Sequence, residues 1–114
     1  MNTRKYSKNQ ENRVAKAVKG SRQSNSGATP FFKGDVITDH FLLECKTAVT
    51  EKGSISIKSE WLKKLEQEAF AMRKPHYALA FNFGGLSNNE NFYIINEKAF
   101  KLLLQLMEES ECNL

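Results

Sequence analysis

Cysteine is scarce in this chain: Cys45 sits inside a strand-like run and Cys112 in the C-terminal tail. Two such positions make neither a disulfide framework nor a metal-ligand spacing, so both are expected as reduced thiols. His40 and His76 have no partner spacing and read as a turn residue and a strand-start residue. No apolar run approaches the roughly 20 residues that span a bilayer. Segment 1–19 is polar and basic without the apolar stretch of a signal peptide, so the expected location is the cytoplasm, with no membrane partner. No internal repeat is present. Acids are nearly missing from the first third, where Glu11 stands alone against eight Lys and Arg.

That balance is +7 through Lys33, whereas the remainder holds nine bases and twelve acids, or −3. A basic first third on a mildly acidic body points to a polyanion partner, most simply DNA. Arg4, Lys5, Lys8, Arg13, Lys16, Lys19, Arg22 and Lys33 would supply the phosphate contacts. A solvated, solubilising tail is the alternative. With 114 residues, 40% of them hydrophobic, the chain suits one domain with a single modest core.

Along the chain, residues 1–8 read as a flexible basic arm and 9–114 as one domain. Val14, Ala15, Ala17 and Val18 recur at helical spacing, which predicts a helix from about Gln10 to Val18 stopped by Lys19-Gly20. The stretch 21–30, "SRQSNSGATP", has loop composition. "DVITDHFLLECK" reads as two strands around a turn at Asp39-His40. That connection sets Val36 against Leu43 and Asp35 opposite Glu44, and period-two alternation puts Lys46 on the side of Glu44.

"SISIKS" (54–59) alternates like a third strand, and Ser59 is the expected N-cap of a helix with Trp61, Leu62, Leu65, Ala69 and Met72 on one stripe. Pro75 ends that helix. Strands are expected at 76–83 and 92–95, and Asn96 should cap a last helix, 97–109, with Phe100, Leu103, Leu104 and Met107 inward. The order α-β-β-β-α-β-β-α predicts a mixed α/β fold with a central sheet of about five strands flanked by helices.

Asp35, Glu44 and Lys46 interrupt what is otherwise the apolar material of a buried hairpin. Burying charges without partners costs several kcal/mol each, roughly, so their presence asks for a reason. Two carboxylates facing each other across a hairpin repel unless a cation lies between them, and hard oxygens suit Mg²⁺, with Mn²⁺ as a substitute. A lysine two residues beyond can reach a phosphate or the attacking water. The chemistry indicated is metal-assisted phosphodiester hydrolysis. A surface cross-strand charge pair of little energetic weight is the competing reading of Glu44 and Lys46.

Gly34-Asp35-Val36, then Glu44-Cys45-Lys46, then a strand and an amphipathic helix, resembles the PD-(D/E)xK nuclease superfamily. A basic first helix carrying an acid, a Ser/Gly loop, the motif hairpin and "ISIKSEWLKKLEQEA" look most like its archaeal and phage Holliday junction resolvases, over about residues 8–84. The resemblance implies a restriction-endonuclease-like core and a homodimer that resolves four-way DNA junctions. It implies that Asp35 and Glu44 hold the metal together with the backbone carbonyl of Cys45, that Glu11 completes the shell, and that Lys46 is the motif lysine. It further implies that Ser24 or Ser26 lies near the scissile phosphate. Gly34 stands where the family usually has proline, and whether Gln67 enters the site, as a helix glutamine does in some related nucleases, stays open. Another nuclease of the superfamily, nicking or exonucleolytic, and a catalytically inert DNA-binding accessory module are the competing functions.

Overall fold

The computed structural model describes residues 3–23, 35–48, 50–85 and 90–112, with side chains from Tyr6 to Glu111. Three helices and five strands follow one another as α1 (Thr3–Val18), β1 (Ser21–Arg22), β2 (Val36–Ile37), β3 (Phe41–Lys46), α2 (Ser59–Ala71), β4 (His76–Phe81), β5 (Phe92–Ile94) and α3 (Glu97–Cys112). The strands form one mixed, open sheet whose order in space, β1-β2-β3-β4-β5, is the order of the chain. All neighbours are antiparallel except β3 and β4, which run parallel and are joined through α2.

Alternation along β3 decides the layering. Leu42 points to α2 and packs with Leu65 and Ala69, whereas Leu43 points to the other face and packs with Val14 of α1. β4 divides its residues the same way, with Ala78 and Ala80 on the α1 side. The two central strands are thus covered on both faces, as the apolar run around Glu44 implied.

Both helix ends at this core close without glycine at the turning residue. Lys19 (φ 56°) and Arg73 (φ 58°) take the left-handed conformation after α1 and α2. Gly20 N then donates to Ala15 O at 2.8 Å and Lys74 N to Ala69 O at 2.8 Å, the long bond of a Schellman turn. After α1, glycine is needed one position later, because a Cβ on Gly20 would lie 2.5 Å from Ile37 O.

Several expectations are corrected. Residues 54–59 form no strand: Ile55 and Ile57 are half-buried between exposed neighbours, so the alternation is real, but the edges of β3 are already taken by β2 and β4. One-sided contact produces the same pattern as a half-buried strand. The fifth strand is instead β1, at the start of the expected loop. Ser21 and Arg22 are exposed and pair with Ile37 and Val36 through the backbone alone, so they leave no hydrophobic signal. α1 begins at Thr3 rather than Gln10, so the stretch expected as a flexible arm is helical from Thr3 through Lys8. Ser59 lies inside α2, whose N-cap position is Lys58 without a side-chain cap. Asn96 does cap α3, accepting from Ala99 N at 2.9 Å.

The largest correction concerns α3. Phe100, Leu103, Leu104 and Met107 are not inward; they are exposed, and Ala99 is the only buried residue among 97–111. β4, considered as an edge, lies between β3 and β5. No helix among the described residues is long and apolar enough to cross a membrane.

Candidate active site

The β2–β3 hairpin has the register expected from its two-residue turn, Val36 against Leu43 and Ile37 against Leu42. Thr38 closes that turn, its Oγ1 accepting from His40 N at 3.2 Å and Phe41 N at 3.0 Å. One residue outside β2, Asp35 N donates to Leu43 O at 2.9 Å, so the pairing continues past the strand. The carboxylate of Asp35 bends back onto β3, where Oδ2 accepts from Cys45 N at 2.8 Å. It thereby meets β3 between Glu44 and Lys46.

Glu44 is half-buried, and its carboxyl is pushed up to about 7, first by burial and then by the charge of Asp35, with Lys46 opposing. Glu44 and Lys46 face α2 and line a cavity of ≈ 200 Å³ with Trp61, Lys64, Leu65 and Glu68. Lys46 Nζ lies 4.5 Å from the centre of the Trp61 ring. Glu68 raises the Glu44 carboxyl further and Lys64 lowers it, so α2 supplies charges of both signs.

Glu11 approaches from α1. Its Oε1 accepts from Arg22 Nε at 3.0 Å, and its carboxyl is raised by burial, held partly down by Arg22 and raised again by Asp35. Asp35 therefore acts electrostatically on both Glu11 and Glu44. Burial, followed by Asp35, Glu11 and Glu44, pushes the Cys45 thiol far up, which keeps it protonated and unreactive. Among the described residues no group of three or more His, Cys, Asp and Glu gathers as a metal-holding cluster.

The expected phosphate contacts divide. Lys8, Arg13 and Lys16 are exposed on α1 and Lys19 is exposed just after its end, and Arg4 and Lys5 belong to the same helix. Arg22 is engaged with Glu11. Ser24, Ser26 and Lys33 lie outside the described residues. A larger cavity of ≈ 610 Å³ shares no lining residue with the first and runs past Lys19, His40 and Lys74.

Sequence reasoning missed two features. Gln67 is exposed, and the α2 residue that enters the site is Glu68, readable in hindsight because it continues the Trp61, Leu65, Met72 stripe at helical spacing. Behind β3, Gln10 is buried and donates from Nε2 to Lys46 O at 2.8 Å and Asn91 Oδ1 at 3.1 Å. Asn82, also buried, bonds Asn91 and accepts from Thr47 Oγ1 and Gly84 N. This amide cluster fixes the backbone at the end of β3, directly behind Lys46. A glutamine in a basic, polar helix carries no signal of burial. No family model, curated protein or solved structure matches this chain.

Proposed function

We propose that the chain is a Mg²⁺-dependent DNA endonuclease of the PD-(D/E)xK type with a restriction-endonuclease-like core, acting as a homodimer on four-way junctions. The observation that carries this reading is the closure of Asp35 onto Cys45 N, which brings a second carboxylate beside Glu44 while Lys46 shares the cavity wall with Glu44. Mg²⁺ keeps several waters and is commonly held by one or two carboxylates plus substrate phosphate, so a pair of acids fits it without a cage of three. Asp35, Glu44 and the Cys45 carbonyl would hold the ion. Bound there, it supplies a water of lowered pKa and offsets phosphate charge.

The chain's own groups do the rest. Glu44 loses its proton near neutral pH, so the acid pair carries its full charge only from there upward. Lys46 offers a cation to a phosphate oxygen from the wall of the cavity. The Gln10 amide holds the Lys46 carbonyl and so fixes where that side chain starts. The exposed bases of α1 bind the DNA backbone without reading sequence.

A second reading, an inert DNA-binding module in the cytoplasm, is favoured by one observation: the Lys46 ammonium is held over the Trp61 ring. Incubating the chain with a synthetic four-way junction and with linear duplex in Mg²⁺ separates the two. Paired nicks near the branch point, lost in Asp35→Asn and Glu44→Gln while DNA binding persists, are expected. Binding without any cleavage in Mg²⁺ or Mn²⁺ leaves the inert module.

A further inference from the structure

Arg22 Nε donates to Glu11 Oε1 at 3.0 Å, which ties β1 to α1 through the only acid that precedes Asp35. Both residues are expected in other company, Glu11 at the metal and Arg22 on a DNA phosphate. The ion pair engages both at once.

Its position makes the two roles interfere. Arg22 lies opposite Val36 in the sheet register and Gln23 N donates to Asp35 O at 2.8 Å, so β1 runs beside the end of the hairpin that carries Asp35. β1 is also the edge of the sheet and its residues are exposed, so a phosphate can reach Arg22 from outside. Glu11 is the more covered partner, with 17% of its side chain exposed against 33% for Arg22. Burial and the charge of Asp35 both work against the Glu11 carboxylate, whereas the hydrogen bond and charge of Arg22 favour it. When Arg22 leaves, Glu11 keeps the repulsion of Asp35 and loses the cation that offset it. A divalent ion beside Asp35 replaces that cation. A phosphate drawn to Arg22 also repels Glu11, so the two anions compete for one guanidinium.

We propose that the Arg22–Glu11 ion pair couples DNA binding to metal binding: a backbone phosphate takes Arg22 from Glu11, and the released Glu11 turns to the metal at Asp35 and Glu44. The coupling rests on the nuclease site described above and adds to it an order of assembly. Without DNA the shell lacks one acid and holds the ion weakly; with DNA in place it is complete. By linkage the metal strengthens DNA binding by the same factor. Arg22 is thus a positioning residue that acts through Glu11.

Mn²⁺ binding to the full chain without DNA, followed by the electron paramagnetic resonance of the free ion, tests the metal side. Arg22→Gln is expected to bind Mn²⁺ at least about fivefold more tightly than wild type, and Arg22→Gln/Glu11→Gln to lose that gain. Arg13→Gln removes an equal charge from an exposed position on α1 and should change the affinity by less than about twofold, which separates release of Glu11 from net charge. Binding of a synthetic four-way junction in EDTA tests the DNA side. Glu11→Gln should bind it at least about fivefold more tightly than wild type, but by less than about twofold when Arg22 is already Gln. Weaker Mn²⁺ binding in Arg22→Gln would mean that the arginine holds Glu11 on the metal, and overturns the proposal. So does Mn²⁺ affinity indifferent to Arg22→Gln, no measurable Mn²⁺ binding in either protein, or a Glu11→Gln gain that persists without Arg22. A chain that shows the coupling but cuts no DNA upholds the exchange and removes the nuclease reading; a chain that cuts with affinities indifferent to Arg22 does the reverse.

Discussion

Lys46 Nζ stands over the ring of Trp61, 4.5 Å from its centre, and so links the strand that carries Glu44 to helix α2. Lys58 approaches the same ring at 5.9 Å. A cation over an indole face is worth about 0.5–2 kcal/mol, enough to hold a four-carbon chain in one place and little enough to be displaced by a phosphate.

That contact can be watched directly, because Trp61 is the only tryptophan in the chain. DNA binding in Ca²⁺, which draws Lys46 toward the backbone, should change the Trp61 emission. Lys46→Met should bind with a much smaller change. In cleavage, Trp61→Phe keeps an aromatic face and should stay within a few-fold of wild type, whereas Trp61→Leu should lose up to about 30-fold, the upper value of the contact expressed as rate. Equal activity in Trp61→Leu would show that the ring does not position Lys46.

Glu44 makes stability depend on pH. Its folded value, about 7, exceeds the ordinary 4.5, so the folded chain holds a proton that the unfolded chain has released. The associated stability is complete below about pH 4.5, falls as pH rises to 7 and is flat above, with a loss of at most about 3 kcal/mol. In metal-free buffer Glu44→Gln should match wild type near pH 4.5 and exceed it at pH 8. Urea unfolding at four pH values checks this, and a variant weaker than wild type at pH 8 contradicts it.

Salt dependence probes the basic helix. Lys8→Ala, Arg13→Ala and Lys16→Ala remove exposed charges from α1 without touching its buried face. Each should flatten the slope of log affinity against log salt by up to about 0.9 per lost phosphate contact. Arg22→Ala should act differently, since it also releases Glu11. Slopes identical to wild type in the triple variant would assign DNA binding to another surface.

The two left-handed lysine and arginine turns yield a stability prediction of opposite sign at adjacent residues. Lys19→Gly and Arg73→Gly relieve a backbone conformation that costs side chains about 1 kcal/mol, and each should raise stability by about 0.5 kcal/mol after the greater freedom of the unfolded glycine is counted. Gly20→Ala should lower it, because its methyl would meet Ile37 O. Thermal unfolding of the three variants measures both effects; a destabilised Lys19→Gly would mean that the lysine side chain itself holds the turn.

Legibility in the sequence followed the strength of local constraint. The hairpin register could be read to the residue because a two-residue turn and a buried face both demand it, and Asp35, Glu44 and Lys46 inherited their places from it. Helix α2 and its stripe were legible for the same reason, since its apolar spacing is also its contact surface. Residues 54–59 misled because alternation reports one-sided burial and says nothing of a hydrogen-bonded neighbour. β1 was invisible because two exposed residues bonded through the backbone leave no pattern in side chains. α3 showed an amphipathic stripe, but periodicity cannot say whether the covering surface belongs to the same molecule. Gln10 and Glu68 were hidden by type: polar residues are expected outside, and only their neighbours in space bring them in.

The sequential order of the sheet has a kinetic consequence. Every strand hydrogen-bonds to its neighbour in the chain, so no pairing has to wait for a distant segment, and the largest loop to be closed between paired strands is the one that contains α2. Contacts of such modest sequence separation favour fast folding and short exposure of unpaired edges. During synthesis the hairpin can form on α1 before α2 is made, and β4 and β5 can add in turn. α3 follows every strand and gives the core only Ala99, so whatever it meets, it meets as the projecting arm of a body already folded.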